Sequence, residues 1–177
     1  MVSVTSEQLT DHHRVELRAL FDAAYGQAGS WLDADDWEHM LGGVHFLLVE
    51  GDDIAAHAAV VDRTLETGGL AIETGYVEAV ATWPRLQGRG HGTQLMHTAH
   101  AHIDARYELG ALNAAAPAFY EQMGWIRWKG PTAARTPDGV VATPEEDGNV
   151  FVRLTPRSPA IDVGSRLTCD WRPGDVW

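Results

Sequence analysis

The chain has one cysteine in 177 residues, Cys169. An internal disulfide is excluded, and a disulfide-stapled secreted scaffold with it. Long apolar runs are missing too. No stretch approaches the ~20 apolar residues that a membrane-spanning helix needs, and Met1 to His13 hold no run suited to a signal peptide. Positive charge is scarce: 13 Lys and Arg stand against 25 Asp and Glu, a net charge of −12. Such a chain repels nucleic acid and anionic membrane and attracts cations. What is present, 45% hydrophobic and 21% charged residues, suits a globular protein. The length suits one domain over 1–177, and the expected location is the cytoplasm.

The stretch from Gly75 to Tyr107 organises the rest. Tyr76 to Trp83 is apolar and β-prone and reads as a buried strand. Pro84 ends it, because proline cannot donate to a ladder. Arg85 to Gly92 is a turn with glycine at 88, 90 and 92, and beyond it Leu95, Met96, Ala99, Ile103 and Tyr107 fall at helical spacing. Strand, glycine turn, helix is an anion-binding order, since the first N–H groups of a helix have no internal partner and carry partial positive charge. A P-loop would need a lysine after its last glycine, and a dinucleotide fingerprint would need Gly-x-Gly-x-x-Gly; neither spacing is here. Arg85-x-x-Gly88-x-Gly90 is.

Around that stretch the chain reads as an α+β domain. Val2 to Thr5 suits a first strand. Thr10 or Asp11 can cap a helix to about Tyr25, with Val15, Leu17, Leu20 and Phe21 as its apolar stripe. Asp33 to Glu38 carries four acids in six positions and opens a short helix ending at Gly42-Gly43. His45 to Glu50 and Ile54 to Arg63 form a hairpin, Leu65 to Leu70 a turn, and Ala71 to Thr82 the next strand. Leu109 to Asn113 should pair in parallel with that strand through a right-handed crossover. Pro117 starts a helix that ends at Gly124. Lys129 to Asn149 reads as one long acidic loop, Val150 to Leu154 as the last clear strand, and Cys169 to Trp177 as a docked aromatic end. His97 and His100 lie at i, i+3 with no third ligand, so no metal is expected.

The Arg85-to-Gly90 turn resembles the pyrophosphate loop of the GCN5-related N-acetyltransferases. Their fold has a mixed, mostly antiparallel sheet with a splayed parallel strand pair and flanking helices. Asp36-Trp-Glu-His-x-Leu-Gly-Gly, Ala55-Ala-His-Ala-Ala-Val, Gly75-Tyr-Val-Glu and the ending Cys-Asp-Trp-Arg-x-Gly-Asp-Val-Trp resemble the aminoglycoside 2′-N-acetyltransferases of that superfamily. The resemblance implies acetylation of a 2′-amine by acetyl-coenzyme A, with no metal, in a homodimer, giving antibiotic resistance. Backbone groups of Val80, Ala81 and Thr82 would bind the acetyl-pantetheine arm. Gln87, Gly88, Arg89, Gly90, His91 and Gly92 would cradle the pyrophosphate. Trp31, Asp33, Asp36, Glu78, Ala79, Asn113, Glu146, Asp147, Asp175 and Trp177 would meet the antibiotic, and Tyr120 would protonate the departing thiolate. The match is poorest over Pro131 to Asp147, which leaves Glu146 and Asp147 as alternatives.

The residues themselves suit that chemistry. An ammonium ion is no nucleophile, so a base must take its proton. Strand alternation puts Glu78 on one side with Val80 and Thr82, and a glutamate with an ordinary pKa of about 4.3 would work through an ordered water, with the Trp177 carboxylate as second acceptor. An unperturbed tyrosine ionises near 10, so Tyr120 can donate at neutral pH. Another amino sugar such as kasugamycin, a polyamine or a cell-wall amine remains the alternative acceptor. A non-catalytic binder of cationic antibiotics is a third reading.

Overall fold

Thr10 starts the first helix. Its hydroxyl accepts the His13 backbone N–H at 3.2 Å, satisfying one of the donors a helix start leaves open. Helix α1 then runs over Asp11–Tyr25. The structure, a computed structural model, describes residues 1–26 and 34–177. Trp31 and Asp33 lie outside the described residues. Two compact units emerge: Met1–Val61 with Val77–His102, and Asp62–Tyr76 with Ile103–Trp177.

The first unit holds β1 (Val2–Thr5), α1, α2 (Ala34–Met40), β2 (Val44–Glu50), the first part of β3 (Asp53–Thr67), the end of β4 (Leu70–Thr82) and most of α3 (His91–Arg106). β1 pairs antiparallel with β2, and β2 with β3. Of the expected α1 stripe, Leu17, Leu20 and Phe21 pack on Trp37, Met40, Leu47, Ile54, Ala59 and Ala81, whereas Val15 is 67% exposed and stands outside the core. Each such large side chain contributes about 1.5–3 kcal/mol by leaving water.

A polar chain is buried in this unit. His45 and His57 are both 0% exposed. The Ala79 carbonyl can only accept, so the 2.8 Å bond to it fixes the proton on His57 Nδ1. A neutral ring then leaves His57 Nε2 bare, and it accepts from His45 Nδ1 at 3.0 Å. His45 Nε2 accepts the Ser6 hydroxyl at 2.8 Å, and Ser6 Oγ accepts the Gly42 N–H at 2.9 Å. The hydrogen bonds therefore run one way, with both rings neutral. Burial enforces this first: it lowers His45 to about 4, helped by the Arg14 charge, and His57 to about 3, helped by His45.

The second unit contains α4 (Pro117–Gln122), β5 (Leu109–Asn113), β6 (Ile126–Arg127), β7 (Thr132–Thr136), β8 (Gly139–Ala142), β9 (Val150–Leu154) and β10 (Leu167–Asp170). Its strands follow the order β6-β9-β5-β4-β3-β10-β7-β8, with β3 and β4 present through their hairpin ends. Most pairs are antiparallel. β4 pairs parallel with β5 only over Thr74–Tyr76 against Leu109–Ala111, and both strands run on past it, which is the expected splay.

Three expectations need correction. The turn expected at Leu65 to Leu70 is confined to Gly68-Gly69, whose φ values of +57° and +80° favour glycine, and Leu65 is a fully buried strand residue. The expected loop from Lys129 to Asn149 contains the β7–β8 hairpin. Its Pro137-Asp138 punctuates a tight turn rather than a long loop, and Ala133 and Ala134 are buried core. Finally, β9 is not the last strand: β10 lies between β3, antiparallel, and β7, parallel. At four residues β10 is too short to show a periodicity.

Gly75 and Gly110 face each other across the parallel pair. A Cβ on Gly75 would fall 2.7 Å from Tyr107 Cδ2 and 3.1 Å from Ile103 Cγ1; one on Gly110 would fall 3.2 Å from Ile103 Cγ2. Bare backbone thus lets Ile103 and Tyr107 close onto the sheet.

Two outcomes follow from this packing. Gly75→Ala should cost about 1–3 kcal/mol by overpacking, seen as a fall in Tm of roughly 2–4 °C per kcal/mol; an unchanged Tm would refute the close approach. The histidine pair makes stability fall with acid. Unfolded histidines take up protons below their ordinary 6.5, whereas the folded rings resist to about 4 and about 3. Folding is thus opposed increasingly between pH 6.5 and 4, by about 1.4 kcal/mol per histidine per pH unit at most. Urea midpoints at pH 7.5 and 5.0 should differ in that direction, and equal midpoints would mean that the rings titrate normally.

Candidate functional site

In the first unit the functional stretch begins where β4 breaks its own regularity. Ala79 has φ +50°, the one left-handed value at a non-glycine among the described residues. This interrupts side-chain alternation between Glu78 and Val80, so the expectation that Glu78 shares a side with Val80 and Thr82 does not carry across it. Glu78, Ala79, Val80 and Thr82 are half-buried and Ala81 is buried. Both carbonyls here are held by side chains: His57 Nδ1 bonds that of Ala79 at 2.8 Å, and the Tyr25 hydroxyl donates to that of Val80 at 2.6 Å. Trp83 fixes the strand end, its indole N–H donating to the Ile54 carbonyl at 2.9 Å.

The turn that follows is built for a close backbone approach. Gly88 and Gly90 have φ of +74° and +84°, and a Cβ on either would meet no atom within 4 Å. Arg89 between them is not left-handed. Such alternation of sign around an exposed loop makes the concave N–H nests that hold phosphates. Gly92, already in α3, has no positive φ, so the backbone demands two of the three alternate glycines. The Gln94 N–H bonds the Gly90 carbonyl at 2.9 Å, so α3 opens directly from the loop. Gln87, Gly88, Arg89 and Gly90 are exposed; His91 and Gly92 are half-buried, with His91 Nε2 3.2 Å from Glu50 Oε1. An open loop of this kind fits a pyrophosphate. Asp36, on α2, lies half-buried with a carboxylate oxygen 3.9 Å from His39 Nδ1.

In the second unit, two of the expected substrate residues, Asp147 and Trp177, are linked through two threonines, and two more, Asn113 and Glu146, pair with each other. Asn113 Nδ2 donates to Glu146 Oε2 at 2.6 Å. Asp147 Oδ1 accepts the Thr132 N–H at 2.7 Å and lies 2.9 Å from its hydroxyl. The Trp177 indole N–H donates to Thr143 Oγ1 at 2.9 Å, and the Thr143 hydroxyl donates to Thr132 Oγ1 at 2.8 Å. Trp177 is 4% exposed, so the aromatic end is docked. Asp175 is exposed and stands outside this set; its carbonyl accepts from Arg172 Nε at 2.9 Å. Thr132 and Thr143 went unnoticed in the sequence because they fall in the segment read as loop. Ser6, His45 and Tyr25 were missed as well, although a histidine inside an apolar strand was a visible signal.

Tyr120, on α4, is 7% exposed and stacks edge-on with Phe119 and Trp125. Burial pushes its hydroxyl up to about 12, so it stays protonated and able to donate at any physiological pH. Among the described residues no group of three His, Cys, Asp or Glu side chains could hold a metal ion. No described helix is long and apolar enough to cross a membrane.

Comparison with known proteins gives a consistent answer. A sequence profile described as an acetyltransferase (GNAT) domain matches residues 6–127. An aminoglycoside 2′-N-acetyltransferase from Mycolicibacterium fortuitum is 42% identical over 153 residues, which cover 84% of this chain and 78% of that protein. Escherichia coli ElaA superposes with a TM-score of 0.60 at 20% identity, covering 86% of this chain and 97% of that one. A GNAT family acetyltransferase from Brucella melitensis, solved in complex with acetyl-CoA, gives 0.53 at 18% identity over 80% and 90% of the two chains. At these identities the structures speak to the fold alone. The chain spans about a third of some longer acyltransferase structures that share it.

The threonine link generates a direct expectation. Thr143→Val keeps the shape but leaves the buried Trp177 indole N–H unpaired, at a cost of about 1–3 kcal/mol. The indole proton should exchange with solvent markedly faster; unchanged exchange would mean that the link does not hold the chain end.

Proposed function

The chain belongs to the GNAT acetyltransferase family, and from that premise we propose that it transfers an acetyl group from acetyl-coenzyme A to the 2′-amino group of an aminoglycoside. The fold is the mixed, mostly antiparallel GNAT fold expected from the sequence. The observation that carries the substrate is the likeness to the Mycolicibacterium fortuitum 2′-N-acetyltransferase over most of the chain. The net charge of −12 and the acids at Asp36, Glu146, Asp147 and Asp175 suit a sugar bearing several ammonium groups.

Acetyl-coenzyme A, when bound, supplies the acetyl group and a thiolate leaving group. The backbone from Gln87 to Gly92 holds its pyrophosphate, and backbone groups of Val80, Ala81 and Thr82 hold the pantetheine arm. Asp36, Asn113, Glu146, Asp147, Asp175 and Trp177 orient the antibiotic, with Ala79 beside it. Glu78 takes the ammonium proton through an ordered water. Tyr120 acts on the sulfur. With its hydroxyl near 12 and a thiol near 8.5, complete proton transfer is uphill by about 3.5 pKa units. Tyr120 therefore works as a hydrogen-bond donor that steadies the departing sulfur until a solvent proton arrives. We assign the enzyme to the cytoplasm, where its acetyl donor is available, as a homodimer that confers resistance.

The test is release of free thiol with a panel of antibiotics. Tobramycin and kanamycin B carry a 2′-amine and should turn over; kanamycin A, with a 2′-hydroxyl, should not. Equal turnover of all three would move the reacting amine elsewhere. No turnover with any would sink the aminoglycoside reading in favour of another amino sugar, a polyamine or a cell-wall amine. With a good substrate, Tyr120→Phe should lower kcat by about 10²-fold while preserving the KM of the antibiotic.

A further inference from the structure

The left-handed Ala79 needs support, because its Cβ disfavours φ +50°. Two side chains supply such support. His57 Nδ1 holds the Ala79 carbonyl at 2.8 Å, and the Tyr25 hydroxyl holds the Val80 carbonyl at 2.6 Å. A peptide is planar and trans, so its C=O and N–H point opposite ways. Fixing the Ala79 carbonyl on His57 turns the Val80 N–H away from His57, and fixing the Val80 carbonyl on Tyr25 turns the Ala81 N–H away from Tyr25. These are N–H groups of the residues assigned above to the acetyl-pantetheine arm.

His57 is itself held. As a neutral ring that donates to Ala79 from Nδ1, it has a bare Nε2, which the His45 Nδ1–H meets at 3.0 Å. His45 in turn keeps its proton on Nδ1 because Ser6 donates to its Nε2 at 2.8 Å, and Ser6 is oriented by the Gly42 N–H at 2.9 Å. The Ser6 hydroxyl also lies 3.3 Å from the Gly43 carbonyl, and its proton goes to the shorter contact with the bare His45 Nε2. The chain of bonds ends on a carbonyl, which cannot pass a proton on, so it orients rather than relays.

We propose that Ser6, His45 and His57, with Tyr25, are positioning residues for acyl transfer: they aim the Val80 and Ala81 N–H groups at the acyl donor by pinning the two carbonyls behind them. This rests on the acetyltransferase reading. None of the four touches the reacting atoms.

Two measurements test it. Ring-nitrogen NMR at pH 7 should find both His45 and His57 as neutral Nδ1–H tautomers, whatever the protein acetylates; an Nε2–H tautomer on either ring overturns the proposal. In turnover, His57→Phe keeps an aromatic ring but loses the donor. It should lower kcat at least tenfold with the antibiotic KM within threefold and the circular dichroism spectrum unchanged. His57→Asn, whose amide can still donate to the Ala79 carbonyl, should recover part of the loss. Ala79→Gly removes the Cβ that resists the left-handed backbone, so His57→Phe should cost less kcat in that background than alone. A folded His57→Phe enzyme with wild-type kcat, or an identical loss with and without Ala79→Gly, overturns the proposal. Wild-type protein that acetylates no amine defeats the functional reading instead, and the tautomers still report whether the chain exists.

Discussion

The bond from His57 to the Ala79 carbonyl sets the terms for the first unit. An L-residue held at φ +50° in a strand relaxes unless a fixed donor meets its carbonyl. A fixed donor inside an apolar layer must itself be fully satisfied, since each unpaired buried polar group costs about 1–3 kcal/mol. That requirement propagates to His45 on β2, to Ser6 behind β1 and to the Gly42 backbone. Apolar packing by Phe21, whose ring meets His57 edge-on at 5.2 Å, keeps water from competing for the same groups. A local backbone irregularity thus determines which polar residues this core carries and on which elements.

The acidity of the chain fits the same logic. Under the proposed function a coenzyme's phosphates meet a protein of net charge −12, which favours a phosphate loop without acids of its own. The loop from Gln87 to Gly92 contains no acid, and its left-handed Gly88 and Gly90 present backbone in place of side chains. Backbone N–H groups and a helix start supply positive potential there, and the exposed Arg89 between the two glycines adds a cationic side chain.

Much of this was legible in the residues. The Thr10 cap, the α1 stripe, the Gly51 hairpin turn, the strand into Pro84 and the glycine turn all carry local signals, and each element formed where those signals lie. The parallel pairing of β4 with β5 followed from strand, helix, strand. What was not legible depends on long-range partners. β10 and β7 are four and five residues long and become strands because each completes the other's pairing. Ala79 carries no local signal for a left-handed backbone, since alanine, unlike glycine or asparagine, does not favour one; the donors that meet its carbonyl and the next, His57 and Tyr25, are distant in sequence. Thr132 and Thr143 are ordinary strand and loop residues until the chain end folds back onto them.

Both buried chains share a physical property with consequences for an enzyme that handles cations. One runs from the Gly42 N–H to the Ala79 carbonyl through a hydroxyl and two neutral imidazoles. The other runs from the Trp177 indole through two threonines, with the Thr132 hydroxyl near Asp147 Oδ1. Neither uses a charged donor. A lysine or arginine could hold the same acceptors more strongly, but its field would act on every ammonium group of the proposed substrate and would weaken the acids proposed to attract it. Neutral donors act over one bond length and are nearly silent beyond it. They fix geometry while leaving the long-range potential to the carboxylates, and Asp147, which accepts the Thr132 N–H and meets its hydroxyl, is where the two sets join.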